Sequence, residues 1–135
     1  MSKDWFQDVL EFHKTFGLTI NTEPQTPNNG DVVLRLSLVA EEYKEFRDAV
    51  ALNEGHAAIA DALADLIYVT IGTAITYGID LRPVWDEVQR ANMAKAGGPK
   101  REDGKQLKPE GWKPPDIEAA LKKGKIDVDL KSKPT

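Results

Sequence analysis

The 135-residue chain reads as all-α, built on four helices. Apolar residues recur every three or four positions in each of the long stretches, the spacing of one helix face. No stretch alternates apolar and polar residues in the manner of a half-buried strand. Clusters of glycine, proline and asparagine separate the stretches where helix caps and turns belong.

Residues 4–16 form a first amphipathic helix, with Trp5, Phe6, Val9, Leu10, Phe12 and Phe16 offered for burial and Gly17 placed to end it. His13 reads as packing or surface. Pro24, Pro27, Asn28, Asn29 and Gly30 mark the following loop. Asp31 is the expected N-cap of a second helix over residues 32–52. Asn53-Glu54-Gly55 interrupts the chain before a third helix over 56–77, which Gly78 closes. A fourth helix over 81–96 tolerates Pro83 in its first turn and presents Val84, Trp85, Val88, Ala91 and Asn92 inward. Gly97-Gly98-Pro99 stops it, and residues 99–113 are irregular and rich in lysine. Pro114-Pro115-Asp116 starts a short helix that runs to Lys123 and stops at Gly124. The domain is therefore expected over 1–123, with 124–135 as a flexible tail.

Composition narrows the function. A hydrophobic content of 41% in a chain of this length suits one globular domain. The absence of cysteine excludes a disulfide scaffold and fits a reducing compartment. With Met1-Ser2-Lys3-Asp4 leading into a charged amphipathic stretch rather than a signal peptide, a cytoplasmic location is expected. Residues 57–79 are long and apolar enough to raise a membrane span, but Asp61 and Asp65 make that costly, and no membrane partner is expected. The net charge of −4 is uneven: residues 1–90 carry 7 basic and 15 acidic side chains, residues 91–135 carry 11 and 7. An acidic body with a basic C-terminal third fits a metal-plus-phosphate arrangement, and equally a solvated lysine-rich tail. A nucleic-acid partner is not expected, because the body is acidic and the aromatics are not interleaved with the lysines.

Two acidic clusters lie where helices should bury apolar surface. With about 100° per residue and Leu38 as origin, Glu42 falls near +40° and Glu45 near −20°, inside the apolar arc, and Glu41 near its edge at −60°. From Ala57 to Ile79 the only formal charges are Asp61 and Asp65, four apart on one face of a helix apolar nearly all round. Such carboxylates need a positive partner or must give up their charge. Arg35, Arg47 or Lys44 can pair with them structurally. Alternatively, a divalent cation is held by oxygen ligands from two facing helices. The lack of cysteine and of Glu-x-x-His spacing argues against zinc and a di-iron bundle, and oxygen ligation suits Mg²⁺ or Mn²⁺. Carboxylate-held Mg²⁺ commonly also holds phosphate, which makes a nucleotide or other polyphosphate the natural substrate class.

Glu41-Glu42-x-x-Glu45 followed by Asp61-Ala62-Leu63-Ala64-Asp65-Leu66-Ile67-Tyr68-Val69 resembles the all-α nucleoside triphosphate pyrophosphohydrolases. This is the MazG-like superfamily, which includes phosphoribosyl-ATP pyrophosphohydrolase and the dimeric dUTPases. Ala91-Asn92-Met93-Ala94-Lys95, the run from Arg101 to Lys108, and Pro114-Pro115-Asp116 are similar to that group too, so the resemblance extends from Trp5 to Ile117. It implies a four-helix bundle of that type, dimerising through its helices, as a homodimer or a dimer of dimers. It also implies a Mg²⁺-dependent enzyme that cleaves a (deoxy)nucleoside triphosphate to monophosphate and pyrophosphate, in nucleotide-pool clean-up. Alternatives are a phosphoribosyl-ATP pyrophosphohydrolase and a non-catalytic helical interaction or regulatory module.

By the same resemblance Glu42, Glu45 and Asp65 are metal ligands, and Glu41 is a further ligand or orients the attacking water. The usual second motif is Glu-x-x-Asp, but Ala62 stands where its glutamate would be, so either Asp61 is the substitute ligand or the site holds fewer ligands. Glu41 or Glu45 takes the water's proton. Asn92, Lys95, Arg101, Lys105 and Lys108 are the candidates for holding the substrate and the leaving pyrophosphate. Trp5, Phe6 and Trp112 are candidate walls for the base. The basic segment 97–113, with little to bury, is expected to order on nucleotide binding.

Overall fold

A computed structural model describes residues 4–129, and within them the chain is all-helical. The helices are α1 (Trp5–Phe16), α2 (Asn29–Ala51), α3 (His56–Thr76), α4 (Leu81–Met93) and α5 (Ile117–Lys123). They group into two compact units. Among the described residues the first unit comprises 4–80 and 125–129, hence α1 to α3, and the second comprises 81–124, hence α4 and α5. The chain thus gathers its helices three and two rather than as the expected four.

Helix boundaries follow local chemistry. Asp4 caps α1 by accepting from the Gln7 amide at 3.0 Å, and Gly17 closes it in the left-handed region at φ 66°. The second helix begins a turn earlier than expected. Asn28, not Asp31, is its cap, accepting from the Asp31 amide at 2.8 Å. Asp31 then sits inside the first turn, where its carboxylate opposes the helix dipole and accepts from the Thr19 hydroxyl at 2.6 Å. The third helix ends at Thr76, and Gly78 follows at φ 72°. A Cβ at Gly78 would stand 2.0 Å from the Glu23 carbonyl oxygen, so only glycine admits the loop there. That loop supplies the donors the end of α3 needs: Asn21 N–H to Ile75 O, the Asn21 side chain to Thr76 O at 2.7 Å, and Gln25 N–H to Tyr77 O.

The core of the first unit is small. Phe6, Val9 and Leu10 of α1 pack with Ala49, Ala62, Ala74 and Ile75. Trp5, Phe12 and Phe16, expected to be buried, are exposed, as are Leu34, Tyr43 and Val50 of α2. Periodicity marks which face of a helix is apolar but not whether another element covers it. Part of the expected tail is packed: Ile126 is buried and its amide donates to Thr22 O, while Lys125 pairs with Glu23 at 3.0 Å. The remainder of that segment, 130–135, lies outside the described residues. In the second unit α4 packs on α5, but Trp85 and Asn92 of its expected inner face are exposed, and Ala91 is the buried position.

By length and composition α3 could cross a bilayer. Asp61 and Asp65 in its first half would each cost about 2.5–3.5 kcal/mol near a bilayer centre. Its principal packing partner is α2. A buried cation, Arg35 of α2, fastens the two: its Nε donates to Thr73 Oγ1 at 3.2 Å and its Nη2 to Val69 O at 2.9 Å. Beside it His13 is buried, its Nδ1–H donating to Thr19 O at 3.0 Å, and burial holds this imidazole below the ordinary histidine range. Gly72 makes room for both. A Cβ there would meet Arg35 Nη2 at 2.5 Å and His13 Nε2 at 2.9 Å.

Gly72→Ala tests this fastening. Overpacking costs about 1–3 kcal/mol and a helical alanine returns about 1, so a net loss of about 0–2 kcal/mol, centred on about 1 kcal/mol or roughly 3–4 °C in Tm, is expected. A Tm at or above that of the wild type would mean that the guanidinium is free to move aside.

Candidate metal centre

Below Arg35 the α2–α3 pair carries the acids. Both helices run past one another through small side chains, Ala49 on α2 and Ala62 on α3, each almost fully buried. Close approach at those positions lets side chains a turn away meet. Carboxylate oxygens of Glu42, Glu45 and Asp65 all lie within 4.8 Å of one another. Glu42 and Asp65 are half-buried and Glu45 is exposed.

Nothing cationic offsets them. The basic residues that a purely structural reading would enlist are engaged elsewhere: Arg35 with Val69 and Thr73, Lys44 with Asp48 at 2.6 Å, and Arg47 with Asp48 at 3.6 Å. Among the described residues no lysine, arginine or histidine forms an ion pair with Glu42, Glu45 or Asp65. Burial and the charges of Glu45, Asp65 and Glu41 therefore hold the Glu42 carboxyl above the ordinary glutamate range. Burial, with Asp61 and Glu45, does the same to Asp65. Glu42 Oε2 is buried and has no hydrogen-bond partner. An orphaned anionic oxygen at the meeting point of three carboxylates is the arrangement a hard divalent cation fits, with all-oxygen ligands. Such a cation would be held by Glu42, Glu45 and Asp65.

The other acids stand apart from this trio. Asp61, expected as the substitute fourth ligand, is exposed and lies one helical turn before Asp65, an axial offset of about 6 Å. It shares a shallow cleft of about 270 Å³ with Glu45, Asp48, Ala49, Glu54, Ala58 and Ala62. Position 62 itself faces the helix interface and bears only a methyl group, so the trio has no fourth carboxylate from α3. Glu41 is exposed and outside the trio, close enough for its charge to be felt by Glu42.

The basic candidates belong to the second unit. Asn92 is exposed at the end of α4. Arg101 is engaged by Asp103 at 2.6 Å, and the Lys105 amide donates to the same carboxylate. Lys95 and Lys108 both place their ammonium groups over the Trp112 ring, 5.6 and 4.8 Å from its centroid. Within segment 97–113 a set of specific contacts holds the chain. Lys100 and Gln106 form an antiparallel bridge, Leu107 N–H donates to Pro99 O at 2.8 Å, and the Gln106 amide nitrogen donates to Gly98 O at 2.7 Å and Lys95 O at 3.1 Å. Lysine content suggested a solvated loop, and the signal missed was the pair of side chains, Gln106 and Trp112, able to satisfy backbone groups. Of the candidate base walls, Phe6 is core, and Trp112 is occupied by the two lysines. Trp5 lines a groove of about 530 Å³ with Leu63, Ile67, Tyr68 and Ile71.

Residues 9–92, well over half of the chain, match the phosphoribosyl-ATP pyrophosphohydrolase family. The match includes Glu42, Glu45 and Asp65 and stops before Lys95. A relative from Acanthamoeba polyphaga mimivirus, described as an uncharacterized protein, is 42% identical over 81 residues. The alignment covers 56% of this chain and 32% of the viral protein, so the chain spans about a third of the relative's length.

Glu42 and Asp65 stabilise the metal-free fold only when protonated. Their contribution is present below the unfolded carboxyl values, 4.5 for Glu42 and 3.8 for Asp65, and is lost as pH rises through the raised folded values. Glu42→Gln is therefore expected to raise the Tm of chelator-treated protein at pH 7 by about 2–4 °C, with the gain shrinking as pH falls. Thermal melts across pH check it, and an equal or lower Tm at pH 7 would show the cluster to be compensated.

Proposed function

The chain belongs to the phosphoribosyl-ATP pyrophosphohydrolase family, and from that membership we propose that it is a divalent-metal-dependent pyrophosphohydrolase of nucleoside triphosphates. The observation that carries the reading is the uncompensated trio Glu42, Glu45 and Asp65 on two facing helices. Mg²⁺, or Mn²⁺, bound there would supply positive charge against the phosphate oxygens and the attacking water. The chain's own residues do the rest. Glu42 and Asp65, desolvated beside one another, provide the fixed negative charge that such a cation needs. Glu45 or Glu41, both exposed, is the base that accepts the water's proton. Water adds across the α–β phosphoanhydride bond, giving monophosphate and pyrophosphate. Asn92, Lys95, Arg101, Lys105 and Lys108 are the candidates for holding polyphosphate, and three ligands suffice because waters and phosphate oxygens fill the remaining positions of a Mg²⁺ ion. Clean-up of the nucleotide pool is the role proposed. The family match favours phosphoribosyl-ATP as a second substrate to test beside the free triphosphates.

The protein is further proposed to act as a homo-oligomer. Leu63, Ile67 and Tyr68 of α3 and Val33, Leu34 and Leu36 of α2 are exposed in the single chain, and its own core is poor in large side chains. A second copy would remove this surface from water at about 25 cal/mol per Å². Sedimentation at low micromolar concentration is expected to show a dimer or larger, and a monomer would refute it.

The activity is tested by pyrophosphate release from ribo- and deoxyribonucleoside triphosphates and phosphoribosyl-ATP, with Mg²⁺ and with chelator. Release is expected only with metal. Glu45→Gln and Asp65→Asn are expected to lose more than the roughly 10–100-fold of an outer-shell change. Release that survives in chelator, or in both variants, would sink the proposal.

A further inference from the structure

The four basic candidates of the second unit are not equivalent, and Trp112 is what separates them. Its indole Nε1–H donates to the Ala91 carbonyl at 2.7 Å, and Ala91 is 2% exposed at the end of α4. The ring is thereby fixed to a rigid element. Lys108 Nζ lies 4.8 Å and Lys95 Nζ 5.6 Å from its centroid. The two lysines come from opposite ends of one loop, whose seat is narrow: a Cβ at Gly98 would stand 2.3 Å from Leu107 O. The Gln106 side chain ties the same seat to Lys95 O.

Two ammonium groups drawn to one indole repel each other, and cation–π attraction offsets this only in part. Among the described residues neither has a carboxylate partner. Arg101, by contrast, already has one in Asp103. A chain with 22 acidic side chains has left this pair of cations open. A polyanion that bridges both ammonium groups removes the repulsion and needs no rearrangement of the loop.

We propose that Trp112 is a positioning residue that sets Lys95 and Lys108 as a two-pronged binding site for a linear polyphosphate, the triphosphate or pyrophosphate part of a nucleotide. The assignment of this ligand rests on the function proposed above, but the site is contained within the second unit and lies beyond the segment that matches the family. Trp112 contributes by orientation. Its loss should therefore weaken polyphosphate binding and raise KM while leaving kcat of the saturated enzyme close to its starting value.

The test is calorimetric titration of the full chain with inorganic tripolyphosphate in chelator, so that metal does not contribute. Trp112→Leu and the double variant Lys95→Ala/Lys108→Ala are expected to weaken binding at least roughly tenfold, as for lost charge-assisted contacts. Trp112→Phe, which keeps an aromatic face, should recover most of it. Lys122→Ala on α5 controls for net charge. Binding by Trp112→Leu equal to wild type, or a loss in Lys122→Ala as large as in the double variant, would overturn the proposal. Should Trp112→Leu fail to fold, the double variant alone decides, because it leaves the ring and its hydrogen bond in place. The two readings also fail separately. Tripolyphosphate binding lost in these variants without pyrophosphate release from any nucleotide would sink the enzyme and keep the site. Release with KM unmoved in Trp112→Leu would do the reverse.

Discussion

Carboxylates on α2 and α3 repel one another, and the pairing of those two helices has to hold them together. The chain solves this with length. At one end of the pair Arg35 reaches Val69 and Thr73 of the opposite helix, and Gly72 gives its guanidinium space. At the other end Ala49 and Ala62 are buried. The acids lie between these anchor points. Their mutual repulsion is opposed by contacts that do not depend on their charge. Arg35 donates to a carbonyl and a hydroxyl instead of neutralising the carboxylates.

Much of this was legible in the sequence. Helical geometry alone placed Glu42 and Glu45 inside an apolar arc, and Asp61 and Asp65 stood out as the two charges of a long apolar run. Asp61 shares a face of α3 with Asp65, but a spacing of four gives a common face and not a common height, and Asp61 is outside the cluster 4.8 Å across. Arg35, a possible partner for the acids by sequence, is instead matched by Gly72 and Thr73 on the opposite helix. Exposure was the least legible property. Trp5, Phe16 and Trp85 have the spacing of buried residues and are open in the single chain, since periodicity cannot say what comes to cover a face.

The second unit shows the opposite balance. Its helix α5 and its irregular loop were both legible, while the bonds that hold the loop were not. Fifteen residues of mostly polar composition fold here through side-chain-to-backbone bonds, chiefly from Gln106 and Trp112, whose signals are single residues rather than a period. Metal-type acids and phosphate-type bases are thus carried by separate compact units, built by different kinds of interaction.

The buried Ile126, with its amide bonded to Thr22 O, makes the second unit an insertion: the chain leaves the first unit at Asp80 and returns at Lys125. On a ribosome this matters. Helices α1 to α3 emerge first, yet their closing contact joins residues about a hundred positions apart. The acid-bearing unit must therefore wait, incompletely sealed, until α4, the lysine loop and α5 have all been synthesised. A chain truncated within the insertion would keep Glu42, Glu45 and Asp65 and still lack the buried residue that bonds to Thr22.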